Sequence, residues 1–244
     1  MPLQIRAVGG PTGRLLTSML QERGLVGTPG GVVSYGVRIQ NPTLPTLNAN
    51  AAKYDKLQAL ERIRDAGVLV PYFSETGEAL SFPVLGRRRH HTRGKDIIPI
   101  PARDQAFENF LNAGACDFFV QYVPRQTEFR TWIYRRRHLA TYEKTFVHPE
   151  RLTGTLGFSA DNGFAFQFVR EAPQDLINIA SASVEALELD FGAVDILRGL
   201  DGRHYVLEVN TAPGVEGPRQ GLVNLVNKIA RWHELGFPGR RGSV

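Results

Sequence analysis

Cysteine is nearly absent from this sequence, and so are long apolar runs. The single cysteine, Cys116, excludes an internal disulfide framework and is typical of a reducing compartment. Its neighbours in "NAGACDFFV" favour a buried structural thiol over a nucleophile. No stretch approaches the roughly 18 consecutive apolar residues of a membrane span, and the N-terminus lacks the apolar core of a signal peptide. We therefore expect a soluble, cytoplasmic protein.

Acidic residues are outnumbered, since 24 Asp and Glu stand against 29 Lys and Arg and the pI is near 9.5. Much of the excess lies in three runs, at 86–95, 134–138 and 239–244. A basic balance favours anionic partners, whether nucleotide phosphates, nucleic acid or an acidic peptide. A single basic run is also typical of a solvated loop, and we favour that interpretation for the tail and for the arginines at 135–137.

The order of predicted elements is that of a mixed α and β protein. Residues 3–9 predict a buried strand, which a glycine-rich turn and an apolar-periodic helix follow. A second helix is predicted over 51–66, with Gly67 at its C-terminal end. Strand patterns dominate from Asp117 onward, interrupted by a helix that begins near Pro173. The sequence therefore predicts an α+β fold with antiparallel hairpins in its second half.

Two carboxylates and an amide lie in the last two predicted strands, 191–197 and 204–210. Between these strands, "RGLDGRH" contains Asp-Gly, the strongest short-range hairpin signal, which favours a two-residue type I′ turn. Such a turn pairs Leu200 with Arg203, and counting outward places Asp195 opposite Glu208. A three-residue loop would break this register. The alternation of a strand puts Asn210 on the same face as Glu208.

Two carboxylates that face each other across strands repel, so an unaided sheet disfavours them. A hard divalent cation removes the conflict, and the set of Asp195, Glu208 and Asn210 suits Mg²⁺, with Mn²⁺ as a second possibility. The alternative is a solvent face on which both acids are hydrated. That alternative is reasonable for one acid and weak for a D…E-x-N set in two apolar strands.

At these residues the sequence resembles the ATP-grasp superfamily, in particular its RimK-like amino-acid ligases. "LEVNTAPGVEG" (207–217) resembles the metal-binding strand of the family, and "FGAVDIL" (191–197) is similar to the preceding metal-ligand strand. Weaker matches are "YDKLQALERIRDAGVLVP", "FPVLGR", "FFVQYV" and "EFRTWIY…ATYEK". Together they cover residues 50–232.

The resemblance implies an ATP-grasp fold in which two α+β subdomains clamp ATP behind a shortened N-terminal α/β region. The implied boundaries are 1–50 for the N-terminal region, 51–122 for the first subdomain, 123–235 for the second and 236–244 for a basic tail. The implied reaction activates a carboxylate as an acyl phosphate, which an amine then displaces to give an amide or peptide bond.

The resemblance also assigns residues to roles. Asp195, Glu208 and Asn210 become the Mg²⁺ ligands, and Arg130 and Lys144 become the catalytic cations around the γ-phosphate and acyl phosphate. The implied ATP contacts are Lys56 or Lys53, Arg87, Gln121, Tyr122, Val123 and Glu128, with the residues 121–123 meeting adenine mainly through backbone groups. For Arg130 the alternative is a cross-strand ion pair with an acid such as Glu143.

The sequence departs from the family pattern at the phosphate loop, which here reads "RRRHHTRGKD" with Gly94 as its only glycine. Arg87 also replaces a lysine, which keeps the charge but changes the geometry. We expect small-molecule or peptide carboxylate and amine substrates, no membrane association and no nucleic acid. A non-catalytic protein of the same fold that binds nucleic acid or acts in assembly is the alternative, and a kinase is a third possibility.

Overall fold

The computed structural model describes residues 1–27, 30–90, 97–146, 164–214 and 219–239. These residues form three β-sheets and five α-helices, which confirms the predicted mixture of α and β structure. No helix in the described ranges is long and apolar enough to cross a membrane.

The N-terminal sheet is parallel and has three strands in the order β1-β2-β3: β1 (Leu3–Ala7), β2 (Gly31–Tyr35) and β3 (Thr46–Leu47). Helix α1 (Pro11–Gln21) follows β1 directly, and its first residue is a proline, whose fixed φ suits that position. The predicted strand, glycine-rich turn and helix are therefore confirmed.

The second sheet is antiparallel, in the order β4-β7-β5-β6. Its strands are β4 (Phe73–Ser74), β5 (Val84–Arg87), β6 (Ile98–Ile100) and β7 (Phe118–Gln121), and the helices nearby in sequence are α2 (Lys56–Asp65) and α3 (Gln105–Asn112). Helix α2 begins five residues later than predicted because Asp55 and Gln58 form a capping box at its start.

The third sheet is the largest and carries most of the predicted site. Its five antiparallel strands run in the order β10-β9-β8-β11-β12. They are β8 (Arg125–Tyr134), β9 (Arg137–Phe146), β10 (Phe164–Val169), β11 (Phe191–Gly199) and β12 (His204–Asn210), and the accompanying helices are α4 (Gln174–Ala186) and α5 (Gln220–Glu234).

Both faces of the five-stranded sheet are packed. One face carries Trp132 and Ala193 and shares a hydrophobic cluster with α1, α5 and the N-terminal sheet. The opposite face carries Ile133 and Val194 and packs against α2 and α4. A third, smaller cluster around Phe107 fills the space beside the second sheet. The face shared with α5 is the one on which the site residues lie.

The arginine-rich turn between β8 and β9 differs from the prediction of a solvated tip. Arg135 and Arg136 have φ of 44° and 64°, the left-handed conformation that a two-residue hairpin turn demands. Arg135 is not solvated, because its Nε donates to Asp190 Oδ1 at 2.9 Å and its side chain is only 22% exposed. Arg136 is 74% exposed, in agreement with the prediction.

Asn48 joins the N-terminal region to the five-stranded sheet. It is fully buried, and its Oδ1 accepts the N–H groups of Asp190 at 2.8 Å and Phe191 at 3.0 Å. Its Nδ2 donates to the carbonyl of Phe191 at 2.9 Å. The φ of Asn48 is 60°, a conformation that asparagine tolerates better than most residues.

We expect Asn48→Gly to lower the free energy of unfolding by about 3 kcal/mol, because buried backbone groups lose their partners. Glycine adopts the same φ freely, so the loss reports the side-chain hydrogen bonds. The measurement is urea denaturation. Asn41→Gly is the matched control, since Asn41 is exposed and also left-handed, with φ of 46°; its effect should stay within about 0.5 kcal/mol. An Asn48→Gly variant as stable as the parent would contradict this role.

Candidate functional site

The hairpin of β11 and β12 places Asp195 directly opposite Glu208, as the sequence predicts. The turn itself was predicted wrongly. The N–H of Gly199 donates to the carbonyl of Arg203 at 2.9 Å, so residues 200–202 form a three-residue loop and Leu200 does not pair with Arg203.

A β-bulge offsets the change of register that the three-residue loop causes. Gly202 takes up the left-handed conformation, with φ of 76°, that a three-residue loop needs at this position. The register is then shifted by one residue between Asp195 and Ile196. The extra residue on β12 restores the pairing that a two-residue turn would have given. The predicted juxtaposition is therefore confirmed, although by a different route.

Arg130 lies on β8, directly opposite Asp195 of β11. Its Nε donates to Asp195 Oδ1 at 2.7 Å and its Nη2 donates to Asp195 Oδ2 at 2.8 Å, which is a bidentate pair. Asn210 joins the same carboxylate, because its Nδ2 donates to Asp195 Oδ2 at 3.2 Å. The alternative partner considered for Arg130, Glu143, instead accepts from Thr127 Oγ1 at 2.9 Å.

Glu208 is held by cations from the second sheet and its helix. Lys56 Nζ lies 2.5 Å from Glu208 Oε2, and Arg87 Nη2 lies 3.8 Å from the same oxygen. Lys53 lies elsewhere and pairs with Glu188 at 2.8 Å. Of the two candidate lysines, the structure therefore brings only Lys56 to the predicted metal ligands.

Glu128 and Lys144 form a further pair in the same cluster. The Lys144 ammonium donates to the Glu128 carboxylate, and Glu128 is only 4% exposed. Arg125 Nη1 lies 3.7 Å from Glu128 and was not predicted. Simple alternation puts Arg125 on the opposite face from Glu128, but a bulge near the start of β8 shifts its register.

The predicted adenine segment follows strand β7. The N–H of Gln121 donates to the carbonyl of Tyr72 at 2.7 Å, and the N–H of Tyr122 donates to the carbonyl of Pro83 at 3.0 Å. In the described part of the chain the N–H of Val123 has no such partner. These bonds fix the backbone of the segment and leave the Val123 N–H as its available donor.

The basic loop after β5 is anchored at its start. Arg88 pairs with Asp117 at 3.2 Å, and Arg89 pairs with Glu75 at 2.6 Å and with Asp55 at 3.2 Å. Residues 91–96, including Gly94, lie outside the described residues, so the prediction for the phosphate loop is untested there. Arg87 is 8% exposed, and its guanidinium lies 5.8 Å from the centre of the Phe118 ring.

Burial and neighbouring charges shift the pKa values of three groups in the cluster, Glu208, Arg130 and Arg87. Burial alone raises the pKa of Glu208, but Lys56, Arg87 and Arg130 outweigh burial and lower the pKa to about 2. Burial lowers the pKa of Arg130, and its pairing with Asp195 more than reverses this effect and raises the pKa. Burial lowers the pKa of Arg87, and Glu208 offsets only part of the shift.

The donor set fits a cation that prefers oxygen ligands, such as Mg²⁺, better than a metal that prefers nitrogen or sulfur ligands. The described residues contain no group of three or more His, Cys, Asp or Glu side chains that could hold a metal ion. Two carboxylates and an amide remain, Asp195, Glu208 and Asn210, and they lie together on one face of the hairpin. Mg²⁺ uses one or two carboxylates and leaves its other positions to water and phosphate oxygens.

Several solved structures share the architecture of this chain. The ATP-grasp ligase PsnB, complexed with a phosphomimetic variant of its minimal precursor, Mg and ADP, matches with a TM-score of 0.70 at 12% identity over 97% of this chain and 98% of PsnB. The macrocyclase MdnC from Microcystis aeruginosa, bound with precursor peptide MdnA, matches with 0.65 at 14% identity over 94% and 98%.

A RimK domain ATP-grasp protein from Sphaerobacter thermophilus matches with a TM-score of 0.64 at 14% identity, over 93% of this chain and 98% of that protein. No protein-family model and no curated protein matches the sequence. The structural similarity shows that the chain has the ATP-grasp fold, and the fold class predicted from the sequence is confirmed.

We expect Lys56→Met to raise the pKa of Glu208 from about 2, because the variant loses the contact at 2.5 Å. An NMR titration of the Glu208 carboxyl carbon measures the shift. Lys53→Met is the matched control and should leave the Glu208 pKa unchanged, since Lys53 pairs with Glu188. Equal pKa values in the two variants would contradict the assignment of Lys56 to the cluster.

The same pKa shift has a consequence for stability. The pKa of Glu208 in the folded chain lies below its usual 4.5, so its stabilising contribution is complete above pH 4.5 and is lost as the pH falls towards 2. Lys56→Met should therefore reduce the difference in stability between neutral and acidic pH. Urea denaturation across that pH range measures this difference.

Proposed function

We propose that this chain, which has the ATP-grasp fold, is an ATP-dependent carboxylate–amine ligase that forms an amide or peptide bond. The observation that carries the proposal is the cluster in which five cations surround three carboxylates. The cations are Lys56, Arg87, Arg125, Arg130 and Lys144, and the carboxylates are Glu128, Asp195 and Glu208. The surplus of positive charge suits a ligand with a net negative charge, as Mg-ATP has.

Within this proposal the nucleotide lies between the second sheet and the five-stranded sheet. Residues Gln121–Val123 and Glu128 hold the nucleoside. Lys56 and Arg87, which contact Glu208 in the absence of a ligand, contact phosphate oxygens when ATP is bound. Asp195, Glu208 and Asn210 hold Mg²⁺, and Mn²⁺ would use the same oxygens. Bound there, the metal would neutralise charge on the phosphate oxygens.

The proposed reaction has two steps. A carboxylate oxygen of the substrate attacks the γ-phosphorus of ATP, and the bond to ADP breaks, which gives an acyl phosphate. An amine then attacks the carbonyl carbon, phosphate leaves with the C–O bonding pair, and the amine loses a proton. In this proposal Arg130 and Lys144 neutralise charge in both steps, since phosphoryl transfer depends mainly on positioning and on stabilisation of charge.

Amino acids and peptides are the proposed substrates. Two proteins of similar structure, PsnB and MdnC, form complexes with the precursor peptides PsnA2 and MdnA. An acidic group on such a substrate would meet the surplus cations of the site.

The alternative of a nucleic-acid-binding protein is not favoured. Arginines that could bind phosphates along a backbone are paired with acids: Arg88 with Asp117, Arg89 with Glu75, and Arg136 with Glu185. Paired guanidinium groups have less charge to offer a polyanion, whose binding depends mostly on phosphate contacts.

The test of the proposal is phosphate release from Mg-ATP with a pool of amino acids and short peptides. Mass spectrometry then identifies a product whose mass is that of its two parts less one water. Release that needs both a carboxylate and an amine supports the ligase. Release that needs no amine would point to a kinase, and an absence of ATP binding would overturn the proposal.

We expect Glu208→Gln to lower the rate of this phosphate release by at least about a hundredfold, because the amide cannot replace an anionic ligand. Circular dichroism should show an unchanged fold, since the substitution keeps the shape of the side chain. Asp201→Asn is the matched control, because Asp201 lies in the same hairpin at its exposed loop. Undiminished release in Glu208→Gln would remove Glu208 from the site.

A further inference from the structure

The face of the five-stranded sheet that carries the site changes character from one edge to the other. Successive partners along one row are Glu208, Asp195, Arg130, Tyr142 and Phe168, one from each strand. Partners in a row share a face. In this row the residues of β12, β11 and β8 are charged, and those of β9 and β10 are aromatic.

In the neighbouring row the change from charged to aromatic residues comes one strand later, between Lys144 on β9 and Phe166 on β10. Phe166 is the partner of Lys144, which in turn contacts Glu128. We call Tyr142, Phe166 and Phe168 the aromatic wall. Tyr142 meets Phe166 and Phe168 edge-on, with ring centres 6.3 and 5.9 Å apart. This geometry is a favourable one for aromatic pairs and holds the three rings together.

The aromatic wall contacts both catalytic cations. The guanidinium carbon of Arg130 lies 4.7 Å from the centre of the Phe166 ring, and Lys144 Nζ lies 5.5 Å from it. Both distances are within the range of cation–π attraction. The charged and the aromatic residues of this face therefore meet at Phe166.

Two features could admit a ligand at this junction, where the Arg130 side chain is 15% exposed. Arg130 uses Nε and Nη2 for Asp195, and no described residue bonds its Nη1. Phe168 is 45% exposed although it lies on a regular strand beside Tyr142. An anionic group at Arg130 would thus have an open apolar surface next to it.

We propose that the aromatic wall is the subsite for an apolar side chain that neighbours the carboxylate to be activated. The proposal rests on the ligase function and narrows its substrate to amino acids or peptides with an aromatic or branched aliphatic residue at that position. The carboxylate lies at Arg130 and Lys144, and the neighbouring side chain covers Phe168 and removes its exposed surface from water.

The test compares two probes of equal charge, N-acetylphenylalanine and N-acetylserine, by calorimetry on the full chain loaded with Mg²⁺ and a non-hydrolysable ATP analogue. We expect the phenylalanine derivative to bind about tenfold more tightly, from the apolar area that it buries. Phe168→Ser should abolish the preference. Leu200→Ser is the matched control, since Leu200 is 72% exposed on the hairpin loop, and it should keep the preference.

Three results would overturn the subsite: equal binding of the two probes, no binding of either, or a preference that survives in Phe168→Ser. The ligase function fails separately, if no acid and amine release phosphate from Mg-ATP. A Phe168-dependent preference without such release would keep the subsite and overturn the ligase. Phosphate release without the preference would do the reverse.

Discussion

The ion pair between Arg130 and Asp195 is the interaction on which the arrangement of the site depends. It joins β8 to β11 in the middle of the five-stranded sheet, and Asp195 is only 4% exposed. A carboxylate at such a position costs several kcal/mol without a partner. The bidentate contact with Arg130 makes that position tolerable, and Asn210 and Glu208 are then arranged around the same carboxylate.

The remaining carboxylates follow the same rule. Glu208 is paired with Lys56 and Arg87, which come from α2 and β5, and Glu128 is paired with Lys144 from the neighbouring strand β9. Each acid therefore forms an ion pair before any ligand binds. In the proposed function the same cations bind the phosphates of ATP, and their pairing with the acids holds them in place before a ligand binds.

The sequence predicted the acidic set because it depends on short-range rules. Strand alternation and the Asp-Gly turn predicted Asp195 opposite Glu208, and the pairing holds because two departures from the predicted hairpin cancel. The turn type was wrong, and the compensating bulge at Leu207 of β12 leaves no mark in the residue pattern. The late start of α2 could have been read from the spacing of Asp55 and Gln58, which form a capping box.

The cations were harder to predict because their positions depend on tertiary structure. Lys56 and Glu208 are 152 residues apart, and no local pattern distinguishes Lys56 from Lys53. Arg125 escaped prediction because a bulge moves it to the other face of its strand.

A crystal structure of the chain with Mg²⁺ and a non-hydrolysable ATP analogue tests the central claim most directly. We predict a metal bound by oxygens of Asp195, Glu208 and Asn210, with Lys56 moved from Glu208 to a phosphate oxygen. A nucleotide bound elsewhere, or a site in which Lys56 still contacts Glu208 and no metal lies beside it, would contradict the claim.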